Sequence, residues 1–216
     1  MVTTHATTPW PDEETKLAAW SQAVAEVRGG GGYVELIRLQ RLVQDRVAGA
    51  TYPGEALHAV TERLRELADY LGPLQVPEPE RWDGWRSDIP GRALPIMPPY
   101  EIDEIDEDVQ SLRGHVTFSR FYLGGNAAVH GGAHTLLFDD VMGHITGRQK
   151  DGISRTAYLK VNFRKITPID VRLTFDITLD KVDGRKRWLT GRLYNPAGEI
   201  VSDADALFLR LLPGQQ

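Results

Sequence analysis

Apolar residues recur at spacings of three and four over three stretches of the first third of the chain: Leu17, Trp20, Val24 and Val27; Leu36, Leu39, Val43 and Val47; Leu57, Val60, Leu64, Leu67 and Leu71. Such a period places each set on one face of a helix. The Gly29 to Gly32 run ends the first helix and predicts a flexible hinge. Pro53 and Gly72 bracket the third, whose regular seam predicts packing against another helix. Prolines at 73, 77, 79, 90, 95, 98 and 99 then exclude regular structure. Trp82 and Trp85 in this connector are too costly to leave in water and are expected to pin it to the domain that follows, with stacking on a nucleotide base as the alternative.

Beyond Pro99 the period shortens toward two. Residues 114–122 alternate in part, and strands are expected at 154–164, 171–182, 186–195 and 199–211. Between them lie Thr167-Pro168, Asp183-Gly184, a tight-hairpin signal, and Asn195-Pro196-Ala197-Gly198. A helix is expected from 131 to about 147, apolar around much of its circumference through Ala133, Leu136, Leu137, Val141, Met142 and Ile145. One strand, one long helix and then a meander predict an α+β fold, an antiparallel sheet around a central helix. The expected division is a helical appendage at 1–72, a Pro-rich connector at 73–99 and the sheet-and-helix domain at 100–216. The appendage would lie on the main domain or on a dimer partner, or act as a lid over a substrate channel. The acidic run from Glu101 to Asp108 reads as a solvated loop or sheet edge.

Composition narrows the partners. With 216 residues, 41% hydrophobic and 25% charged, the chain can bury one substantial core. A net charge of −5 gives no general basic field, so neither nucleic acid nor an anionic membrane is an expected partner, and an anionic ligand would need a local basic pocket. The absence of cysteine removes disulfides and thiolate chemistry. No run of 18 apolar residues predicts membrane insertion, and Met1 to Trp10 lacks the basic-then-apolar order of an export signal, so a cytoplasmic location is expected.

The segment richest in chemistry is Val129-His130-Gly131-Gly132-Ala133-His134, which opens the apolar helix that carries Asp139. Adjacent glycines weaken a helix and are expected where a backbone must approach something closely. First-turn amides and the positive end of the helix dipole suit a carbonyl oxygen that becomes negative under attack. Asp139 would supply the base or nucleophile. Eight residues of helix separate Gly131 from Asp139 by roughly 12 Å along the axis, and a nucleophile must reach its carbonyl at about 3 Å. If both act on one substrate, Asp139 must belong to a second copy, which predicts a symmetric dimer with two shared sites.

These residues resemble the hotdog-fold acyl-CoA thioesterases of the PaaI type, in particular the branch containing the mammalian mitochondrial-type enzymes. The resemblance rests on His130-Gly131-Gly132, Asp139, Gly143, the stretch from Arg155 to Phe163 with Pro168, and the stretch from Leu179 to Lys186, and spans residues 112–212. It implies hydrolysis of a fatty or aromatic acyl-CoA to free acid and CoA, without metal or redox cofactor, by a homodimer or a tetramer built as a dimer of dimers. The implied roles are a Gly131 amide that polarises the thioester carbonyl, His130 shaping that turn, Asp139 attacking or activating water, and Thr156, from the same subunit as Asp139, positioning the nucleophile or water. Coenzyme A phosphates would be met by Tyr158, Arg164, Lys165, Lys181, Arg185 and Lys186. Gly124 stands where many members of the family have asparagine, and Ile166 where a proline is frequent.

Other readings compete with these. Spacing alone does not choose between Asp139 and Asp140, and either could be purely structural. His134 and His144 read as hydrogen-bonded structural residues, and no metal-ligand spacing is present. Lys181 to Arg187 could be a charged hairpin guarding a sheet edge. A catalytically weak dimer that binds acyl-CoA as a sensor or carrier is the alternative to an enzyme. A hydratase on the same fold would pair Asp and His in a different motif.

Overall fold

The computed structural model describes residues 14–106, 108–149 and 152–215, and of residues 14–20 the backbone alone. Met1 to Trp10 and the side chains of Leu17 and Trp20 lie outside the described residues. Helices α1 (Glu14–Val27), α2 (Gly30–Ala48) and α3 (Ala56–Leu71) precede strands β1 (Tyr100–Ile105) and β2 (Ser111–Thr117). A small hairpin of β3 (Leu123–Gly125) and β4 (Ala128–Val129) leads into helix α4 (Gly131–Gly147). Strands β5 (Ser154–Phe163), β6 (Arg172–Asp183), β7 (Lys186–Tyr194) and β8 (Ile200–Arg210) complete the chain.

Six strands form one antiparallel sheet in the order β1-β2-β6-β7-β8-β5, and α4 packs against it in one shared core, so the expected α+β arrangement holds. Alternation explains the contact: Leu173, Phe175, Ile177 and Leu179 of β6, with Leu189 and Leu193 of β7, are buried beside Leu137, Phe138, Val141, Met142 and Ile145 of α4. At Gly191 a Cβ would come within 2.9 Å of the Phe138 ring and 2.6 Å of Ile177. Glycine there lets helix and sheet close up. Full burial of each such large apolar side chain contributes roughly 1.5–3 kcal/mol.

The acidic run contains edge strand β1, paired with β2. The strand expected at 114–122 instead runs Ser111–Thr117 and gives way to a turn at Arg120–Tyr122 that buries Tyr122.

Four expectations for the helices and the connector need correction. The glycine run is no hinge: Gly29 adopts φ 84 between α1 and α2, and Gly30 to Gly32 already form the first turn of α2. A Cβ at Gly29 would sit 2.3 Å from the Trp82 ring, so the tryptophan fills the space that glycine leaves. Trp82 meets Tyr33 edge-on at 5.2 Å and Arg28 stacks over Trp85 at 5.1 Å, so both tryptophans pin the connector to the α1–α2 turn and not to the sheet domain.

The face of α2 turned inward is likewise not the apolar stripe. Leu36, Leu39, Val43 and Val47 are exposed, while Ile37 packs with Ile89 and Ala93. Arg41 donates to the carbonyls of Met97 at 2.8 Å, Pro90 at 3.1 Å and Leu94 at 3.3 Å, and Gln44 to that of Pro95 at 3.4 Å. A proline-rich connector presents carbonyls that no regular ladder satisfies, and buried acceptors need donors. A polar helix face therefore wins over an apolar one. Helix α3 buries no residue, leaving Leu57, Leu64, Leu67 and Leu71 exposed. The helix its seam predicts as a partner is absent among the described residues.

Candidate active site

The entry into α4 is fixed by backbone bonds. Asn126 and Ala127, at φ 51 and 58, turn the β3–β4 hairpin; Val129 N–H donates to Thr167 O and His130 N–H to Tyr122 O, each at 2.8 Å. His130 then caps the helix, its Nδ1 accepting the Gly132 amide at 2.9 Å. The cap engages the donor of Gly132, and among the described residues the Gly131 amide has no acceptor. It is a free first-turn donor at the positive end of the helix dipole.

Two close approaches account for glycines here. A Cβ on Gly131 would lie 2.9 Å from Cζ of Phe163, the last residue of β5, and one on Gly124 would lie 2.9 Å from Cα of His130. The residue that differs from the resembled family's asparagine is thus a glycine packed directly on the His130 backbone.

Asp139 lies two turns along the same unbroken helix and is half-buried beside the start of β5. Thr156 Oγ1 donates to Asp139 Oδ1 at 2.7 Å. The structure so brings Asp139 and Thr156 together and leaves His130 and Gly131 at the other end of α4, against Phe163. Both groups border β5, an edge strand of the sheet.

Asp140 has a different fate. Arg92 of the connector grips both its oxygens, Nε to Oδ2 at 3.1 Å and the second guanidinium nitrogen to Oδ1, and donates to Gly84 O at 3.2 Å. Tyr100, 2% exposed, donates its hydroxyl proton to Asp140 Oδ2 at 2.5 Å, and the Tyr100 hydroxyl oxygen itself lies 2.8 Å from His144 Nε2. A phenol has one proton to give, so His144 Nε2–H is the donor in the second bond. Burial first, and then the Asp140 carboxylate, hold the Tyr100 phenol far above its ordinary pKa. Desolvation and the Arg92 charge push His144 down to about 3, which keeps it neutral. Desolvation works against the Arg92 charge, but the Asp140 carboxylate more than offsets it and its pKa is raised. His134 is also structural: 2% exposed, it lies 2.8 Å from Ser202 Oγ, stacks on Phe118 at 5.5 Å, and is pushed down to about 4 by burial.

The residues expected near coenzyme A phosphates do not gather in one chain. Arg164 pairs with Asp203 and Lys165 with Glu199 at the Phe163 end of β5. Arg185 lies at the Ser154 end, where Arg155, Thr156, Arg185 and Arg210 line a cleft of about 420 Å³. Lys181 and Lys186 flank the Trp188 ring at 5.1 and 5.9 Å, and Tyr158 is exposed along the strand. A strand of 10 residues at about 3.3 Å per residue is roughly 30 Å long, which separates the two basic groups. Sequence reasoning missed Arg210, which carries no motif, and Arg92 and Tyr100, which only the folded chain brings to α4; Arg155 and Phe163 entered it only as part of the resembling stretch. Among the described residues no group of His, Asp and Glu side chains could hold a metal ion, and no helix is long and apolar enough to cross a membrane.

The chain is 33% identical over 86 residues, 39% of its length, to the acyl-coenzyme A thioesterase THEM4 of Bos taurus, and this match spans 35% of that relative's length. A solved thioesterase superfamily protein superposes with a TM-score of 0.69 at 26% identity, covering 82% of this chain and 94% of the other. No family model matches the chain.

Proposed function

We propose that this chain, which has the hotdog fold of the thioesterase superfamily, hydrolyses the thioester of a fatty or aromatic acyl-CoA, yielding the free acid and CoA. The observation that carries the reading is the Thr156–Asp139 hydrogen bond of 2.7 Å on an edge strand, with a free Gly131 amide at the far end of the same helix.

In this mechanism the carbonyl oxygen sits at the Gly131 amide, where a fixed donor and the helix dipole meet the charge that develops on attack. Asp139 of a second copy attacks the carbonyl carbon or takes a proton from water, and Thr156 orients it. A two-fold pairing along β5 supplies that arrangement. The strand presents its free edge with Tyr158 and Phe163 exposed, and an open apolar edge is a template for strand addition. Antiparallel pairing about a two-fold axis also sets the Arg164–Lys165 end of one copy beside the Arg155–Arg185 end of the other. That gives an otherwise acidic protein a joint basic surface for the phosphates of CoA. The chemistry needs neither metal nor redox cofactor, and the setting is a cytoplasmic homodimer or dimer of dimers.

The test is release of free thiol from a panel of short, long and aromatic acyl-CoAs by wild type and Asp139→Ala. Turnover by wild type and a loss of about 10³-fold or more in the variant, the scale typical of disabling a central catalytic group, is the expected result. Tight binding of acyl-CoA without release by wild type would instead favour a sensor or carrier, the reading that glycine at 124, in place of the family's asparagine, favours.

A further inference from the structure

The mechanism leaves one buried polar cluster unused: Arg92, Tyr100, Asp140 and His144, drawn from the connector, the first residue of β1 and α4. We infer that Arg92 is a positioning residue, which clamps Asp140 and thereby sets the roll of α4 that turns Asp139 toward Thr156. This rests on the proposed thioester hydrolysis only for its kinetic consequence.

Consecutive residues on a helix point about 100° apart. Fixing Asp140 toward the connector therefore fixes the direction of Asp139, and Asp139 is aimed at β5 while Asp140 faces away from it. Packing sets the coarse roll, since Ala133, His134, Leu137, Phe138, Val141, Met142, Ile145 and Thr146 form one buried face, but Asp139 and Asp140 lie off that face, where apolar contact gives them no fixed direction. A bidentate guanidinium–carboxylate pair has the directionality that apolar contact lacks. The Tyr100 hydroxyl adds a second fixed direction to the same carboxylate, and His144, one turn along the helix, fastens Tyr100 in turn.

The backbone at Arg92 is built for this contact. Arg92 and Ala93 have φ 54 and 62, a left-handed conformation that costs energy in residues with a Cβ and persists only where the surroundings impose it. Gly91 before them has φ 62, and a Cβ there would lie 2.5 Å from Pro98 O. Arg41 of α2 holds the loop from outside through the Pro90, Leu94 and Met97 carbonyls. The chain of support runs from α2 through the strained loop and Arg92 to Asp140, one residue from Asp139.

The experiment compares wild type, Arg92→Met and Arg92→Lys by steady-state thiol release, thermal melting and crystal structure, with Thr156→Ala and the Arg92→Met/Thr156→Ala pair completing a cycle. Expected for Arg92→Met is a fall in kcat of tenfold or more with KM within twofold of wild type, measured well below the melting temperature, and loss of the Asp139–Thr156 contact in the structure. Arg92→Lys restores part of kcat, and Arg92→Met costs little further activity once Thr156 is gone. A lowered melting temperature with kcat and the Asp139–Thr156 distance unchanged overturns the inference and leaves Arg92 a stabilising residue only. If wild type releases thiol from no acyl-CoA, the activity reading fails by itself, and the Asp139–Thr156 distance in crystals of Arg92→Met still decides the positioning role.

Discussion

Thr156 and Asp139, 17 residues apart in sequence, are joined by a hydrogen bond of 2.7 Å that ties the edge strand to the central helix. The hydroxyl donates to Oδ1, which fixes Oδ2 as the oxygen left open to a reacting carbonyl or water. Replacing Thr156 with Ala is expected to lower kcat by roughly 10–100-fold, the range of one lost charge-assisted hydrogen bond amplified in a preorganised site, with the fold intact by circular dichroism.

Asp139 and Gly131 occupy one rigid helix roughly 12 Å apart, so neither can serve the other's substrate within one copy. Mixing Asp139→Ala chains with Gly131→Val chains should restore part of the activity, since one of the two sites in a mixed dimer is then intact. Thiol release by purified mixed dimers checks this, and no rescue would remove the shared-site arrangement.

The exposed edge gives a separate prediction. Tyr158→Glu places like charges on a strand that the proposed two-fold pairing brings against its own copy, and like charges facing each other across strands are unfavourable. Sedimentation should show monomer at concentrations where wild type is dimeric, with activity lost in proportion. An unchanged dimer would argue that assembly uses another face.

The two structural histidines make stability depend on pH. His134, buried and pushed down to about 4, stays neutral in the folded chain at pH values where the unfolded chain, with a pKa of about 6.5, already binds a proton. The folded state is therefore at full strength above about pH 6.5 and loses stability as pH falls toward 4, by roughly 3 kcal/mol for this residue at about 1.36 kcal/mol per unit. His144 acts in the same sense and extends the loss to lower pH. Urea unfolding at pH 7 and pH 4.5 should show the difference, and His134→Gln should reduce it.

Gly124 offers a test of context. Installing the family's asparagine places a Cβ 2.9 Å from Cα of His130, so Gly124→Asn should displace the helix entry. Overpacking of this kind costs about 1–3 kcal/mol, readable as a lower melting temperature together with reduced kcat. A gain in activity would mean that the hairpin yields and His130 keeps its place.

The sheet domain was legible because its signals are periodic. Alternation marked β6, β7 and β8 to within a residue or two, and the mostly apolar stretch at Ala133–Ile145 marked a helix wrapped by a sheet. Asp139 was a candidate from the helix it rides on, but Thr156 and its pairing with Asp139 were reachable only through resemblance, since no spacing rule pairs a strand residue with a helix residue 17 positions earlier. Arg92 left no trace, because its role depends on a left-handed loop in a segment without periodicity. The inward face of α2 was misread for a related reason: apolar periodicity points at Leu36, Leu39, Val43 and Val47, whereas Arg41 and Gln44 answer proline-rich carbonyls that pattern analysis does not weigh.

The Arg92–Asp140 pair also limits how the molecule can be cut. A shortened chain starting at Tyr100 would retain every strand and the central helix, yet it would leave Asp140 without its cation and without the connector that packs over it. Such a fragment should prove less stable than its intact sheet suggests.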